Sequence, residues 1–192
     1  MELLVLGLAA MLGIHMIPSF GGLQRALEER FTENIYKIVF SIVSLVGLTL
    51  IIYGYDQARY EDYAPLYVPP YWTRHLVMLL MVPVFPLLMA AYFQGNIKRI
   101  VKHPMILSIK IWAFSHLLTN GEPQSVLLFG SFLLWAVFLR IRAKGRPVTY
   151  KIPEIPSQVL RNDVLAIVFG LLLYGLFVWK LHGILVGVPL SG

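Results

Sequence analysis

The stretch IYKIVFSIVSLVGLTLIIYGY, Ile35 to Tyr55, decides what kind of molecule this is. It runs 21 residues with a single charge, Lys37, close to its start. Coiled as an α-helix at about 1.5 Å per residue, it covers roughly 30 Å, the thickness of a bilayer's hydrocarbon core. Comparable apolar runs lie at Leu3 to Phe20, Trp72 to Phe93, Val126 to Leu139 and Val164 to Val188. A further run, Met105 to Thr119, is short and interrupted by Lys110; it reaches spanning length when Ile100 and Val101 are added. The pattern predicts an all-α, polytopic integral membrane bundle of about six transmembrane helices, with residues 1–192 forming one domain.

Composition agrees. Of the 192 residues, 58% are hydrophobic and only 14% charged, and the mean hydropathy is +0.72. Soluble domains carry roughly a quarter charged residues. There is no cysteine, which excludes disulfides, thiolate metal sites and c-type haem attachment. At the N-terminus, Met1-Glu2 is acidic and no small-residue cleavage site follows Ile14, so the first helix is expected to be retained.

Local signals set the connections. Asn120-Gly121-Glu122-Pro123 predicts a tight turn between the fourth and fifth helices. Pro83 and Pro86 fall inside the third and should kink it, with neighbouring helices satisfying the released carbonyls. Gly21 to Arg30 reads as a short amphipathic helix at the interface, and Arg140 to Ser157 as an extended surface loop.

The cations orient the bundle. With the N-terminus outside, alternate loops carry Arg25, Arg30 and Lys37; then Lys98, Arg99 and Lys102; then Arg140, Arg142, Lys144, Arg146, Lys151 and Arg161. That places 12 of the 16 basic residues on the inner side and predicts an N-out, C-out topology. The net charge of +6 is thereby explained by membrane orientation, with lipids as partners and no nucleic acid. Tyr53, Tyr55, Tyr60, Tyr63, Tyr67, Tyr71 and Trp72 would form an outer aromatic belt.

Ionisable groups inside lipid are costly and become functional candidates. His75 and His103 follow Arg74 and Lys102 at helix starts, which suits plain interfacial residues. His15 and His116 differ: each lies about midway between its nearest charges, Glu2 and Arg25 for one, Lys110 and Glu122 for the other. Two imidazoles are too few for a structural zinc site but enough for haem iron, whose macrocycle supplies the other four donors. Lys110, Lys102 and Arg99 could neutralise haem propionates, although a lysine near a helix start also snorkels to the interface. Lys180 and His182 stand alone on the last helix, where pairing with a carbonyl or carboxylate is expected.

Several motifs occur in a familiar order. His15-Met16-Ile17-Pro18-Ser19, Phe40-Ser41-Ile42-Val43-Ser44-Leu45, Pro70-Tyr71-Trp72-Thr73-Arg74-His75, Gly95-Asn96-Ile97-Lys98, Lys102-His103-Pro104, Ser115-His116-Leu117-Leu118-Thr119-Asn120-Gly121 and Phe129-Gly130-Ser131-Phe132 resemble the NnrU family of membrane proteins. The likeness covers Leu3 to Lys144. It implies haem b as cofactor, with His15 and His116 as the metal ligands. That follows from the family's plant and cyanobacterial zeta-carotene isomerase, which uses haem b to rotate a cis double bond. The implied activity is redox-dependent isomerisation of a carotenoid-like, lipid-soluble polyene. The bacterial members imply a plasma-membrane location and a link to nitrite and nitric oxide metabolism, so a non-catalytic denitrification factor is the alternative. One position departs: where the isomerase has a cysteine one turn before its second histidine, this chain has Ala113. Lys102-His103-Pro104 is also similar to the Arg-His-Pro motif of membrane methyltransferases using S-adenosylmethionine, but the tyrosine, glycine and late acidic pair of those enzymes are missing.

Overall fold

The computed structural model describes residues 1–144 and 155–190. The middle of the predicted Arg140–Ser157 loop therefore lies outside the described residues. The helices, in chain order, are α1 (Glu2–Met16), α2 (Gly21–Phe31), α3 (Glu33–Arg59), α4 (Thr73–Met81), α5 (Val84–Ala90), α6 (Asn96–Val101), α7 (Pro104–Leu117), α8 (Pro123–Ala143), α9 (Pro156–Leu176) and α10 (His182–Val186). A 3-10 turn, Ile17–Ser19, prolongs α1, and a π-helical turn, Phe177–Leu181, joins α9 to α10. No strand occurs among the described residues.

Five helical stretches are long and apolar enough to cross a membrane: Glu2–Ser19, Glu33–Arg59, Thr73–Ala90, Pro123–Ala143 and Pro156–Val186. The expected sixth is the exception. Its proposed flank, Ile100 and Val101, is cut off as part of α6, because Lys102 adopts a left-handed conformation (φ 66°) and Pro104 keeps His103 out of the helical region. What remains, α7, has 14 residues, about 21 Å of helix. An N-out, C-out arrangement needs an even number of crossings, so that orientation rests on α7 completing the sixth.

The chain divides into two compact units. The first comprises Met1–Pro69 with Asn120–Gly145. Here α1 packs along α3 so closely that a Cβ on Gly54 would sit 2.3 Å from the Leu4 amide nitrogen. Only glycine permits that approach, and Leu4 is fully buried as a result. The Tyr55 hydroxyl meets the Ser125 hydroxyl of α8 at 3.0 Å. Thr32 (φ 67°) separates α2 from α3, and its side chain accepts the Ile35 amide proton. Helix α2, which buries no residue, matches the expected interfacial helix to within a residue. The Arg142 guanidinium at the end of α8 donates to the Ser19 carbonyl at 3.2 Å and covers the Phe20 ring, pinning the turn between α1 and α2.

The second unit comprises Pro70–Thr119 with Arg146–Gly192. The expected kink falls at Val82-Pro83, between α4 and α5. There the Val82 amide turns to the Leu79 carbonyl, which releases the Met78 carbonyl from its helical partner. The Tyr174 hydroxyl of α9 donates to that carbonyl at 2.8 Å, so a neighbouring helix does satisfy the break. Helix α9 starts eight residues before the apolar run, at Pro156 in a first-turn position where its missing N–H costs nothing.

Candidate functional site

In the first unit, His15 occupies the last turn of α1, half-buried. Its Nδ1–H donates to the Met11 carbonyl at 2.7 Å, four residues earlier on the same helix. Imidazole then keeps its lone pair on Nε2. The ring lies 4.8 Å from Phe40 of α3 and 6.3 Å, edge-on, from Trp135 of α8. Phe40 in turn meets Tyr36 at 6.1 Å. Two polar atoms in this aromatic row, the Tyr36 hydroxyl and the Trp135 indole N–H, are buried without a hydrogen-bond partner. Beside the row runs an open groove lined by Pro18, Gln24, Tyr36, Lys37, Phe40 and Ser41.

In the second unit, His116 sits in the last turn of α7, also half-buried. Its Nδ1–H donates to the Trp112 carbonyl at 2.8 Å, again four residues earlier, and its ring lies 5.4 Å from the Trp112 indole. The two histidines therefore carry the same tautomer for the same local reason. Ala113, one turn before His116, is fully buried, so the small residue fills a packed position.

The remaining candidates scatter. Lys110 is half-buried on α7; Lys102 and Arg99 are exposed, and the Arg99 guanidinium donates to the Asn96 side-chain oxygen at 2.6 Å. His75 is exposed with its ring edge-on to Tyr71, as suits an interfacial residue, and His103 caps α7. Lys180 lies over the Trp179 ring at 5.8 Å. His182 finds the expected carbonyl: its Nδ1–H donates to Val188 at 2.6 Å. Among the described residues no group of three or more His, Cys, Asp or Glu side chains could hold a bare metal ion.

Outside the spans, the Tyr63 hydroxyl donates to the Glu61 carboxylate, and that bond holds the carboxyl below its ordinary range.

One family model matches the chain, the NnrU protein, over residues 3–190. The chain belongs to the NnrU family. The match extends past the motifs quoted above and takes in α9 and α10. No curated protein and no solved structure matches the chain. The NnrU assignment establishes a membrane protein built of transmembrane helices; the chemistry has to be argued from the residues.

Proposed function

We propose that this NnrU protein binds haem b in the bacterial plasma membrane through His15 and His116, and acts on a lipid-soluble polyene by redox-dependent cis–trans isomerisation. The observation that carries the reading is the shared tautomer: both Nδ1–H groups are engaged by a backbone carbonyl one turn back, which orients each ring and leaves Nε2 basic. That is the second-shell arrangement expected of an iron-ligating imidazole.

The residues around His15 fit such a group. Phe40 and Trp135 offer flat apolar surface, and the partnerless Trp135 N–H and Tyr36 O–H are donors awaiting an acceptor. Lys110, half-buried on the helix that carries His116, is the cation best suited to a propionate; Arg99 and Lys102 are the more exposed alternatives. When bound, haem would supply a redox-active Lewis acid. With Ala113 in place of cysteine, no thiol could exchange with His116, so His15 and His116 would be the residues that hold the group.

The test is a reduced-minus-oxidised absorption spectrum of the protein purified in detergent. A Soret band that shifts or weakens in His15→Ala and in His116→Ala is expected. A wild-type protein produced with ample haem and lacking the band would end the proposal. Conversion of a cis-polyene by the reduced protein tests the reaction separately.

A further inference from the structure

The groove beside the aromatic row of the first unit has a chemistry that iron ligation does not use. It encloses about 380 Å³, within the roughly 300–1,000 Å³ of small-molecule sites. Three segments build it: Pro18 from the 3-10 turn after α1, Gln24 from α2, and Tyr36, Lys37, Phe40 and Ser41 from α3. Helix α2 is the interfacial helix and α3 is a spanning one, so the groove stands where headgroups give way to acyl chains. Phe40 is common to both places: it lines the groove, and its ring lies 4.8 Å from that of His15.

The polar side chains of the groove are engaged, with one exception. The Lys37 ammonium meets the Glu33 carboxylate. The Gln24 amide donates to the Glu28 carboxylate at 2.8 Å, and the Ser41 hydroxyl donates to the Lys37 carbonyl at 2.8 Å. Tyr36 is the exception, because its hydroxyl is buried and has no hydrogen-bond partner. A buried donor left without an acceptor forfeits more free energy than an ordinary hydrogen bond returns. Water does not reach this hydroxyl, so its acceptor has to arrive on a ligand that fills the groove. Of the two partnerless donors near His15, Tyr36 is the one that lines the groove; Trp135 stays with the proposed haem site. Lys37 is the one cation among the lining residues, and Glu33 already balances it, which leaves little to attract a carboxylate or phosphate. The rings of Tyr36 and Phe40, 6.1 Å apart, offer flat apolar surface instead.

We infer that this groove binds the headgroup of an isoprenoid quinone, with the Tyr36 hydroxyl donating to a ring carbonyl, Phe40 and Pro18 packing against the ring, and the isoprenoid tail running into the bilayer. Three requirements meet in that class of ligand: a neutral acceptor, a flat ring and solubility in lipid. A hydrocarbon polyene has no acceptor, a phospholipid headgroup is charged, and haem propionates are anionic. The site goes beyond haem binding and does not require it.

The experiment is a fluorescence titration of the purified full chain in detergent with decylubiquinone, whose ring quenches aromatic emission. Decylbenzene, which has a ring and a tail but no carbonyl, and phosphatidylglycerol serve as competitors. Wild type should show saturable quenching at one quinone per chain, displaced by neither competitor at equal concentration. Tyr36→Phe keeps the ring and removes only the donor; it should weaken binding about threefold to tenfold, the worth of one neutral hydrogen bond. Gln24→Trp, which fills the groove from α2, should abolish binding with helical circular dichroism unchanged, and it keeps the test decisive should Tyr36→Phe fail to fold. Absence of saturable quenching in wild type, equal affinity in Tyr36→Phe, or binding that survives Gln24→Trp overturns the inference. Displacement by decylbenzene or by phosphatidylglycerol overturns it too, assigning the groove to a hydrocarbon or to an anionic headgroup. A protein without a Soret band leaves the expected titration unchanged, and a failed titration leaves the Soret band, so the two proposals fail separately.

Discussion

His15 and Met11 are joined by a 2.7 Å hydrogen bond from imidazole Nδ1–H to a carbonyl one helical turn earlier, and His116 repeats the relationship with Trp112. The bond fixes the proton and, with it, the nitrogen that carries the lone pair. Nitrogen NMR of protein labelled at histidine should therefore show a lone-pair-bearing Nε2 at both positions in the haem-free protein. On haem addition those two signals should broaden or vanish while that of exposed His75 persists. Persistence of the His15 signal in a haem-loaded sample would remove it from the ligand set.

Gly54 is the closest of the contacts between α1 and α3. A Cβ there meets the Leu4 amide nitrogen at 2.3 Å, and backbone atoms cannot move aside as a flexible side chain would. Gly54→Ala should force the helices apart at a cost of about 1–3 kcal/mol, the usual penalty of overpacking. A lower melting temperature in detergent is the readout. Gly13, whose added Cβ would meet nothing within 4 Å, should accept alanine without loss and serves as the control.

The sequence displayed whatever depends on neighbours along the chain. Five spans follow from long apolar runs, the break at Val82-Pro83 from proline, and the turn before α8 from Asn120-Gly121-Glu122-Pro123. The shortness of α7 is equally local: Pro104 opens it, and Lys102 just before takes a positive φ that ends α6. The bonds that the Asp163 carboxylate accepts from the Asn96 and Ile97 amides were hidden, since no periodicity links residues so far apart. The start of α9 was missed because its first turns carry Gln158, Arg161, Asn162 and Asp163, which ended the apolar run eight residues too soon. At the site, depth picked out His15 and His116, whereas the aromatic row of Tyr36, Phe40 and Trp135 assembles from α3 and α8 and exists only in space.

Tyr174 and the Met78 carbonyl make a separate test of how the proline break is tolerated. The hydroxyl is the partner that replaces the lost helical bond, at 2.8 Å. Tyr174→Phe keeps the ring against Phe85 and removes only that bond. Interhelical hydrogen bonds in membrane proteins average about 0.6 kcal/mol and reach about 1.7. A destabilisation within that range is expected from unfolding in mixed detergent. No change would mean that the Met78 carbonyl is satisfied by other means.

Glu61 gives a pH dependence whose sign can be worked out. The Tyr63 hydroxyl donates to its carboxylate, which lowers the carboxyl's pKa in the folded protein and raises that of the Tyr63 phenol. A depressed carboxyl pKa stabilises the fold above the carboxyl's ordinary range, about pH 4. That contribution is lost as pH falls through the lower, folded value. Both side chains are solvent-exposed at this loop, so the effect belongs to local order in the segment after α3 rather than to global stability. Carboxyl-carbon NMR should show Glu61 titrating below the ordinary carboxyl range, and Tyr63→Phe should return it towards that range. A Glu61 midpoint unmoved by Tyr63→Phe would show that the hydroxyl is not its cause.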